Sequence, residues 1–504
     1  MWSQRVLRRP SRLAANVISH ARVPRPRLSS STSSRPRGGK PTILVLGTFA
    51  AGSLGTLAYQ KATTPNTERG TPPAPAAPKT TNTEVPDLDN LASSNKVDLP
   101  PAISAEDVTQ ELNAGAFSFH VADKNGVDKY DGAQVASNSP CEDAYVHGRF
   151  SNPLQAGGAA DWMAWGVFDG HCGWQTSNLL TRQLLPYVQR TLHDLTPDSG
   201  VVSDEAIQGA IAAAFRELDD ALVKGAKDVI ESDLSYPEKI RRLQPAYAGS
   251  CALLTLYDPS TSSLHVASTG DCRAVLGRKT ADGKWEAVAL TKDQTGANED
   301  EIARIREQFP DEPEIVKGGR IWGLEPSRTF GDGGWKWDKE LRSRLRREFN
   351  ACKFPNEARY KDYKTGPYVT ASPVVSTIKV PRDGSSTFLI LATDGLWDTM
   401  GNQQAVDLVG RWSDLQSAPG KPPAPVLSLV SGEPVKFGRT GCWHGDHRAT
   451  FQDSNAAVHL IRNGLGGAHD EMVRGAMSFQ SNLSRDIRDD MTVQVVFFQG
   501  TDKS

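Results

Sequence analysis

Three strongly apolar runs end in an acidic residue set on a turn, and no other feature limits the fold of this chain as much. WGVFDGH reaches Asp169, LILATDG reaches Asp394, and LHVASTGD passes Gly270 to Asp271. β-Branched and aromatic content marks each run as a buried strand, so each aspartate sits where a fixed backbone gives way to a turn. A carboxylate carried to the edge of a core needs a cation or hydrogen-bond donors. A single Asp-Gly is a common turn, but three such strand ends in one chain point to a shared site.

More acids join them: Glu142 and Asp143 in SPCEDAY, Asp398 in DGLWD, and Asp489 and Asp490 in RDDMTVQVVFF, just before another apolar run. Converging, these carboxylates would repel unless cations bridged them. Oxygen-only ligation selects hard ions such as Mg²⁺ or Mn²⁺, and two of them about 4 Å apart can activate a water and neutralise a phosphoryl group. The implied chemistry is hydrolysis of a phosphoester.

Strand-like segments recur at 162–168, 252–257, 264–268, 273–276, 285–290, 368–370, 375–380, 388–392 and 492–498, mostly short and turn-bounded. Apolar residues at three- and four-residue steps predict helices over 174–192, 203–229, 298–308, 403–411 and 455–463. This order predicts an α+β fold, an α-β-β-α sandwich of two mainly antiparallel sheets flanked by helices. Residues 415–450 read as an insertion, because APGKPPAP and GRTGCWHGDH break any period. Its HGDH stretch, 444–447, offers two imidazoles and a carboxylate to a metal, with a solvated Gly-rich loop as the alternative. GDGGWKWD around Trp335 fits either a loop anchored by aromatic burial or a substrate-side flap.

Charge matters most at the N-terminus. Residues 1–67 hold eleven Lys or Arg and no Asp or Glu, so the chain's net −2 leaves −13 on residues 68–504. A basic, Ser-rich, acid-free stretch over 1–40 is the composition of a mitochondrial targeting segment, with a solvated basic arm as the alternative. Residues 41–60 carry no charge and are long enough as a helix to cross a bilayer, though Gly47, Gly52 and Gly55 weaken it. A cleaved or peripheral segment is the other reading. Arg35, Arg37 and Lys40 would keep the N-terminus in the matrix and set the rest across the inner membrane, whereas complete import would leave it in the matrix. Residues 61–112 read as a disordered linker and 113–500 as the folded domain. Nucleic acid is not expected as a partner of so acidic a domain. The six cysteines include no CxxC pair, which argues against zinc and for reduced, mostly buried thiols. Cys172 begins no Cys-x5-Arg loop and is expected to be a small packing residue.

CEDA, VFDGHCGW, AGSCALL, STGDCRAVLGR, SRTFGD, ATDGLWD and DDMTV stand in the order seen in type 2C, metal-dependent protein phosphatases, and the chain resembles that family over about 142–498. LTKDQTGANEDEIARIREQFP, GPYVTASP and AAVHLIRNGLGG resemble the pyruvate dehydrogenase phosphatase branch. The resemblance implies Mg²⁺ or Mn²⁺, two per active site with a weaker third. Asp169 would bridge two metals, Gly170 would offer its carbonyl, and Asp394 and Asp489 would complete the core. Glu142 and Asp143 would hold metal-bound waters; Asp271 and Asp398 would serve the third metal, and Asp490, which stands where the family often has Asn, would join the metal residues.

The same resemblance implies direct hydrolysis by a metal-activated water, without a phosphoenzyme. A serine alkoxide leaving group needs a proton near neutral pH, which makes His171, next to Gly170, the expected acid. Asn138 occupies the place of a common phosphate-binding arginine and is expected to bind phosphate there, since its amide can donate a hydrogen bond, although it offers neither charge nor a bidentate fork. Arg149 or Arg328 could compensate. The implied partner is a phosphorylated protein, foremost the E1 component of pyruvate dehydrogenase, with the membrane contacted through the N-terminal span. The rival readings are a phosphatase for an intermembrane-space substrate and a catalytically silent tethered scaffold.

Overall fold

The computed structural model describes residues 102–122, 126–154, 160–195, 202–349, 364, 366–417, 448–479 and 483–499, plus three short strand backbones within 428–443. The expected targeting segment (1–40), the span (41–60) and most of the linker lie outside these residues, as does 444–447. Among the described residues no helix is long and apolar enough to cross a membrane.

Two antiparallel sheets form the centre. The first runs β1 (Phe117–His120), β2 (Val127–Val135), β20 (Met491–Phe498), β15 (Thr387–Ala392), β9 (Arg273–Lys279), β10 (Trp285–Ala289). The second runs β14 (Val374–Lys379), β8 (Ser263–Thr269), β7 (Ala252–Asp258), β4 (Trp162–Phe168), β3 (Ala144–Phe150). Strand periodicity explains why β4 is buried throughout. Met163, Trp165 and Val167 join the core between the sheets, while Trp162, Ala164 and Phe168 point the other way onto helices. β15 divides likewise, with Leu389 and Leu391 inward and Phe388, Ile390 and Ala392 outward.

Outside the second sheet lie α2 (Gln175–His193) and α3 (Asp204–Glu231), the latter started by Ser203, whose Oγ accepts from the Ala206 N–H. α9 (Asn402–Ser417) and α10 (Ala456–Gly464) cover the first sheet. This is the four-layer α-β-β-α arrangement expected from the sequence. α4 (Tyr236–Tyr247), α6 (Gly333–Lys336) and α7 (Lys339–Phe349) add to the α3 side, and α11 (Asp470–Ser478) to the α10 side. A three-stranded patch joins β5 (Gly170–His171), β6 (Gly249–Ser250) and β13 (Phe330–Gly331).

Several expectations need correction. The linker stops short of residue 112: α1 (Ala105–Ala114) begins with a Ser104 capping box and buries Val108 and Leu112 four residues apart. The Pro- and Thr-rich stretch before it hid so short an amphipathic helix. Residues 368–370 form no strand. Tyr368 and Val369 are buried in a separate cluster with Ile305, Ile315, Ile321 and Trp322, and Thr370 makes only an isolated bridge to Arg328. That cluster anchors α5 (Glu299–Gln308) and a hairpin of β11 (Val316–Lys317) and β12 (Arg320–Ile321), and Trp335 packs on it, donating Nε1–H to the Ile321 carbonyl at 3.1 Å. α9 continues through Ser417, past the expected start of the insertion, which contributes the short pairs β16 (Ser428–Leu429) with β19 (Arg448–Ala449) and β17 (Val435–Phe437) with β18 (Gly441–Trp443).

Glu301 ties α5 to the segment before β13. It accepts from Arg328 Nη2 at 2.6 Å, Arg304 Nη2 at 2.8 Å and Ser327 Oγ at 2.6 Å. Burial alone would raise its pKa, but the bonds from Arg328, Arg304 and Ser327 prevail and bring it to about 2. A depressed carboxylate pKa gives stability that is present above the ordinary glutamate value and lost as pH falls through about 2. Glu301→Gln should therefore cost about 1–3 kcal/mol at pH 7, and the difference should shrink as the pH falls below 4.5 towards 2, read from paired thermal melts.

Candidate active site

Antiparallel register brings the acids to one end of the sandwich. Ala144 lies opposite Phe168, Ala252 opposite Thr269 and Ala392 opposite Val493. The segments carrying Glu142–Asp143, Asp169, Asp271, Asp394 and Asp489–Asp490 therefore leave their strands at the same edge. Asp169 leads into β5, and its carbonyl accepts from the Cys251 N–H at 2.8 Å. A Cβ on Gly170 would lie 2.1 Å from the Glu142 carbonyl oxygen, so only glycine lets these two segments meet. Asp271 follows Gly270, which adopts φ +103°, and Asp394 opens the four-residue α8 (Asp394–Trp397).

Asp169, Asp271 and Asp394 each present a carboxylate oxygen, all within 4.8 Å of one another. Burial and the charges of Asp394, Asp143 and Asp271 raise Asp169 well above the usual carboxylate range. Burial and Asp394 lift Asp271 to about 7 against a hydrogen bond from the Cys251 thiol, whose Sγ lies 3.0 Å from Oδ1. The all-oxygen donor set and its self-repulsion fit a hard divalent cation, which would relieve the repulsion that raises the pKa values of Asp169 and Asp271. Mn²⁺ binding near pH 7 should accordingly release protons, and affinity should rise with pH. Calorimetry in two buffers of unlike ionisation enthalpy would read both effects.

The remaining acids have other partners. Asp143 is buried, and its Oδ2 accepts from the Thr393 and Thr492 hydroxyls, both at 2.8 Å, while burial and Asp490 raise its pKa. Asp490 is buried and binds the loop 137–142. It accepts from the N–H of Ser137 (2.5 Å), Asn138 (2.9 Å) and Glu142 (2.8 Å), and from Asn138 Nδ2 at 3.0 Å. Asn138, expected to bind phosphate, instead directs its amide to Asp490. Asp489 pairs with Arg485 on α12 (Ser484–Ile487). Asp398 is exposed at the end of α8, its N–H on the Asp394 carbonyl. Among the described residues, Asp169, Asp271 and Asp394 form the carboxylate group that closes to within 4.8 Å, whereas the expected core joined Asp169 and Asp394 with Asp489 and set Asp271 with Asp398.

His171 lies next to this cluster with Nε2 2.7 Å from Asp332 Oδ2. Burial would lower its pKa, but the charge and hydrogen bond of Asp332 outweigh it and the net shift is upward. Asp332 is buried in left-handed backbone at φ +48°. The pair also needs Gly249, where a Cβ would fall 2.1 Å from His171 Nε2 and 2.2 Å from Asp332 Oδ2. Asp219 on α3 fixes the turn from behind by accepting from the Gly331 N–H at 2.9 Å and pairing with Lys336 at 2.7 Å. Nothing local to SRTFGD marks Asp332 for a role, because its contact with His171 spans 161 residues.

Three expectations fail on geometry. Arg328 is engaged by Glu301 and donates Nη1–H to the Ser372 carbonyl at 2.8 Å, so it does not serve the site. Arg149 sits six residues along β3 from Asp143, about 20 Å away at the opposite end of the sheet. Cys172 is exposed in left-handed backbone at φ +60° and is not a packing residue, whereas Cys251 and Cys272 are buried as expected.

Residues 133–422 match the family described as Protein phosphatase 2C. The chain belongs to that family. It is a metal-dependent protein serine/threonine phosphatase. A protein phosphatase 2C homolog of Schizosaccharomyces pombe is 40% identical over 415 residues, covering 81% of this chain and 87% of its own. The mitochondrial pyruvate dehydrogenase (acetyl-transferring) phosphatase 1 of Saccharomyces cerevisiae is 34% identical over 74% of this chain and 69% of its own. Its Homo sapiens counterpart is 30% identical over 78% and 82%. The phosphatase 2C domain thus accounts for the acidic edge of the sandwich.

Proposed function

We propose that this phosphatase removes phosphate from serine or threonine of the pyruvate dehydrogenase E1 component in mitochondria. The observation that carries the chemistry is the group Asp169, Asp271 and Asp394 within 4.8 Å, beside a His171–Asp332 pair. The substrate rests on the similarity to two mitochondrial pyruvate dehydrogenase phosphatases and on the branch-like segments between the catalytic motifs. The acid-free residues 1–40 support the location, and the uncharged run 41–60 leaves inner-membrane attachment as part of the proposal.

Asp169, Asp271 and Asp394 would hold Mg²⁺ or Mn²⁺, with Glu142, the Gly170 carbonyl and Asp489 around them. Bound there, such ions activate a water and offset charge on the phosphoryl oxygens. The protein's own groups do the rest. Asp143 and Asp490 fix the strand ends and the loop 137–142 through the bonds described above. Asp332 engages Nε2 of His171 and favours its protonated form. Nδ1 is then the ring atom that hands a proton to the departing serine oxygen.

The substrate assignment is tested by comparing kcat/KM on phosphorylated E1 and on an unrelated phosphoprotein in the presence of Mn²⁺. A preference of about tenfold or more for E1 is expected, which corresponds to about 1.4 kcal/mol of recognition beyond the phosphoserine. Equal rates would remove E1 as substrate and leave the hydrolytic chemistry standing.

A further inference from the structure

We propose that Arg485 binds the phosphoryl group of the substrate. This rests on the phosphatase reading above and identifies a protein cation for the anion that the site must admit. A phosphate monoester approaching carboxylates needs positive charge from the protein as well as from metal, and a guanidinium suits phosphate because its planar fork pairs with two oxygens.

Among the described residues, three other cations on neighbouring elements are committed. Arg273, two residues after Asp271, grips Asp293 at 3.0 and 2.5 Å and donates to Asn402 at 2.9 Å. Lys336 is paired with Asp219 and donates to the Thr329 carbonyl at 2.7 Å. Arg488 is buried and spends its guanidinium on the carbonyls of Ala476, Phe479 and Ala136. Arg485 differs: among the described residues its ion pair is with Asp489, and 37% of its side chain is exposed.

Two contacts of its neighbours, Ser484 and Asp489, bring the Arg485 segment beside the site. Its helix is tied to the loop 137–142 by Ser484, whose hydroxyl donates to the Ser137 carbonyl. Asp489 in turn lies against the residue after Asp394, since a Cβ on Gly395 would be 3.2 Å from the Asp489 Cβ. Arg485 therefore stands between the loop that carries Asn138 and the strand end that carries Asp394. Asp489 pairs with the guanidinium through Nη1, and a group with five donors has further N–H groups to offer a phosphate. The ligand class is a phosphate monoester dianion or inorganic phosphate.

The test uses the full chain with Mn²⁺ and inorganic phosphate as probe. Phosphate affinity is measured by calorimetry and by product inhibition, and KM on a phosphoserine peptide, for the parent, Arg485→Ala and Arg485→Lys. Arg485→Ala should weaken phosphate binding roughly 10- to 100-fold and raise KM in step, with the larger share of the loss in KM rather than kcat. Arg485→Lys should fall between, since it keeps the charge and loses the fork. Phosphate affinity and KM within twofold of the parent in Arg485→Ala would overturn the proposal. If that variant does not melt cooperatively, Arg485→Lys decides by the same two numbers. A parent that releases no phosphate from either the peptide or phosphorylated E1 would refute the proposed function, while the calorimetry would still judge Arg485.

Discussion

Asp169→Asn is expected to lower turnover about 10³- to 10⁵-fold and, with no metal added, to raise the melting temperature. The two effects share one cause. Asp169 lies among Asp394, Asp143 and Asp271, whose charges and the surrounding burial push its pKa far upward. Folding the metal-free protein gathers these repelling groups, and an amide of the same shape relieves one of them. The same amide is a poor ligand for a hard cation, so the several kcal/mol a metal contributes to charge stabilisation are lost, and each 1.4 kcal/mol is about tenfold in rate. Saturating Mn²⁺ should reverse the order of the melting temperatures. A ligand at 100 times its Kd adds about 2.7 kcal/mol to a protein that binds it and nothing to one that does not. Melts of parent and variant with and without Mn²⁺, beside kcat, would show the crossover; Asp394→Asn should lose turnover to a similar degree.

The second large effect belongs to the histidine pair. His171→Asn should lower turnover of a phosphoserine peptide by about 10²- to 10⁴-fold, the usual size of general acid catalysis. Loss on p-nitrophenyl phosphate should be only a few-fold, because nitrophenolate leaves without a proton. Asp332→Asn should reproduce most of that selective loss although Asp332 meets no substrate, because it engages Nε2 at 2.7 Å and supplies the charge that favours the protonated imidazole. Equal losses on both substrates would assign the pair a structural role instead.

Much of this site is written locally. A strand buried on both faces reads as a continuous apolar run, and the runs before Asp169, Asp271 and Asp394 were found to within a residue or two for that reason. β1, β2 and β3 were not found. β2 reads VDKYDGAQV, with Asp131 buried and accepting from the Ala456 N–H at 2.9 Å, so a polar residue occupies a core position that patterning assigns to an apolar one. α1 carries two buried residues, too few to register as a period beside a Pro-rich stretch.

What stayed hidden depends on pairs far apart in the chain. Asp332 reaches His171 only because Gly249 clears the space and Asp219 pins the turn. Asp490 holds the loop 137–142 across some 350 residues, which sequence could only read as one more acid beside Asp489. The roles of Arg149 and Arg328 depended on direction and reach, which spacing does not fix. Arg328 is consumed by Glu301, itself an unremarked residue of a predicted helix.

The central claim is metal-dependent hydrolysis at Asp169, Asp271 and Asp394. Its most direct test is phosphate release from phosphorylated E1 by the parent, Asp169→Asn and Asp394→Asn, each with chelator and with Mn²⁺. Release by the parent only with Mn²⁺, and a loss of at least about 10³-fold in both variants, is the predicted result. Turnover that persists in chelator, or full activity in both variants, would contradict it.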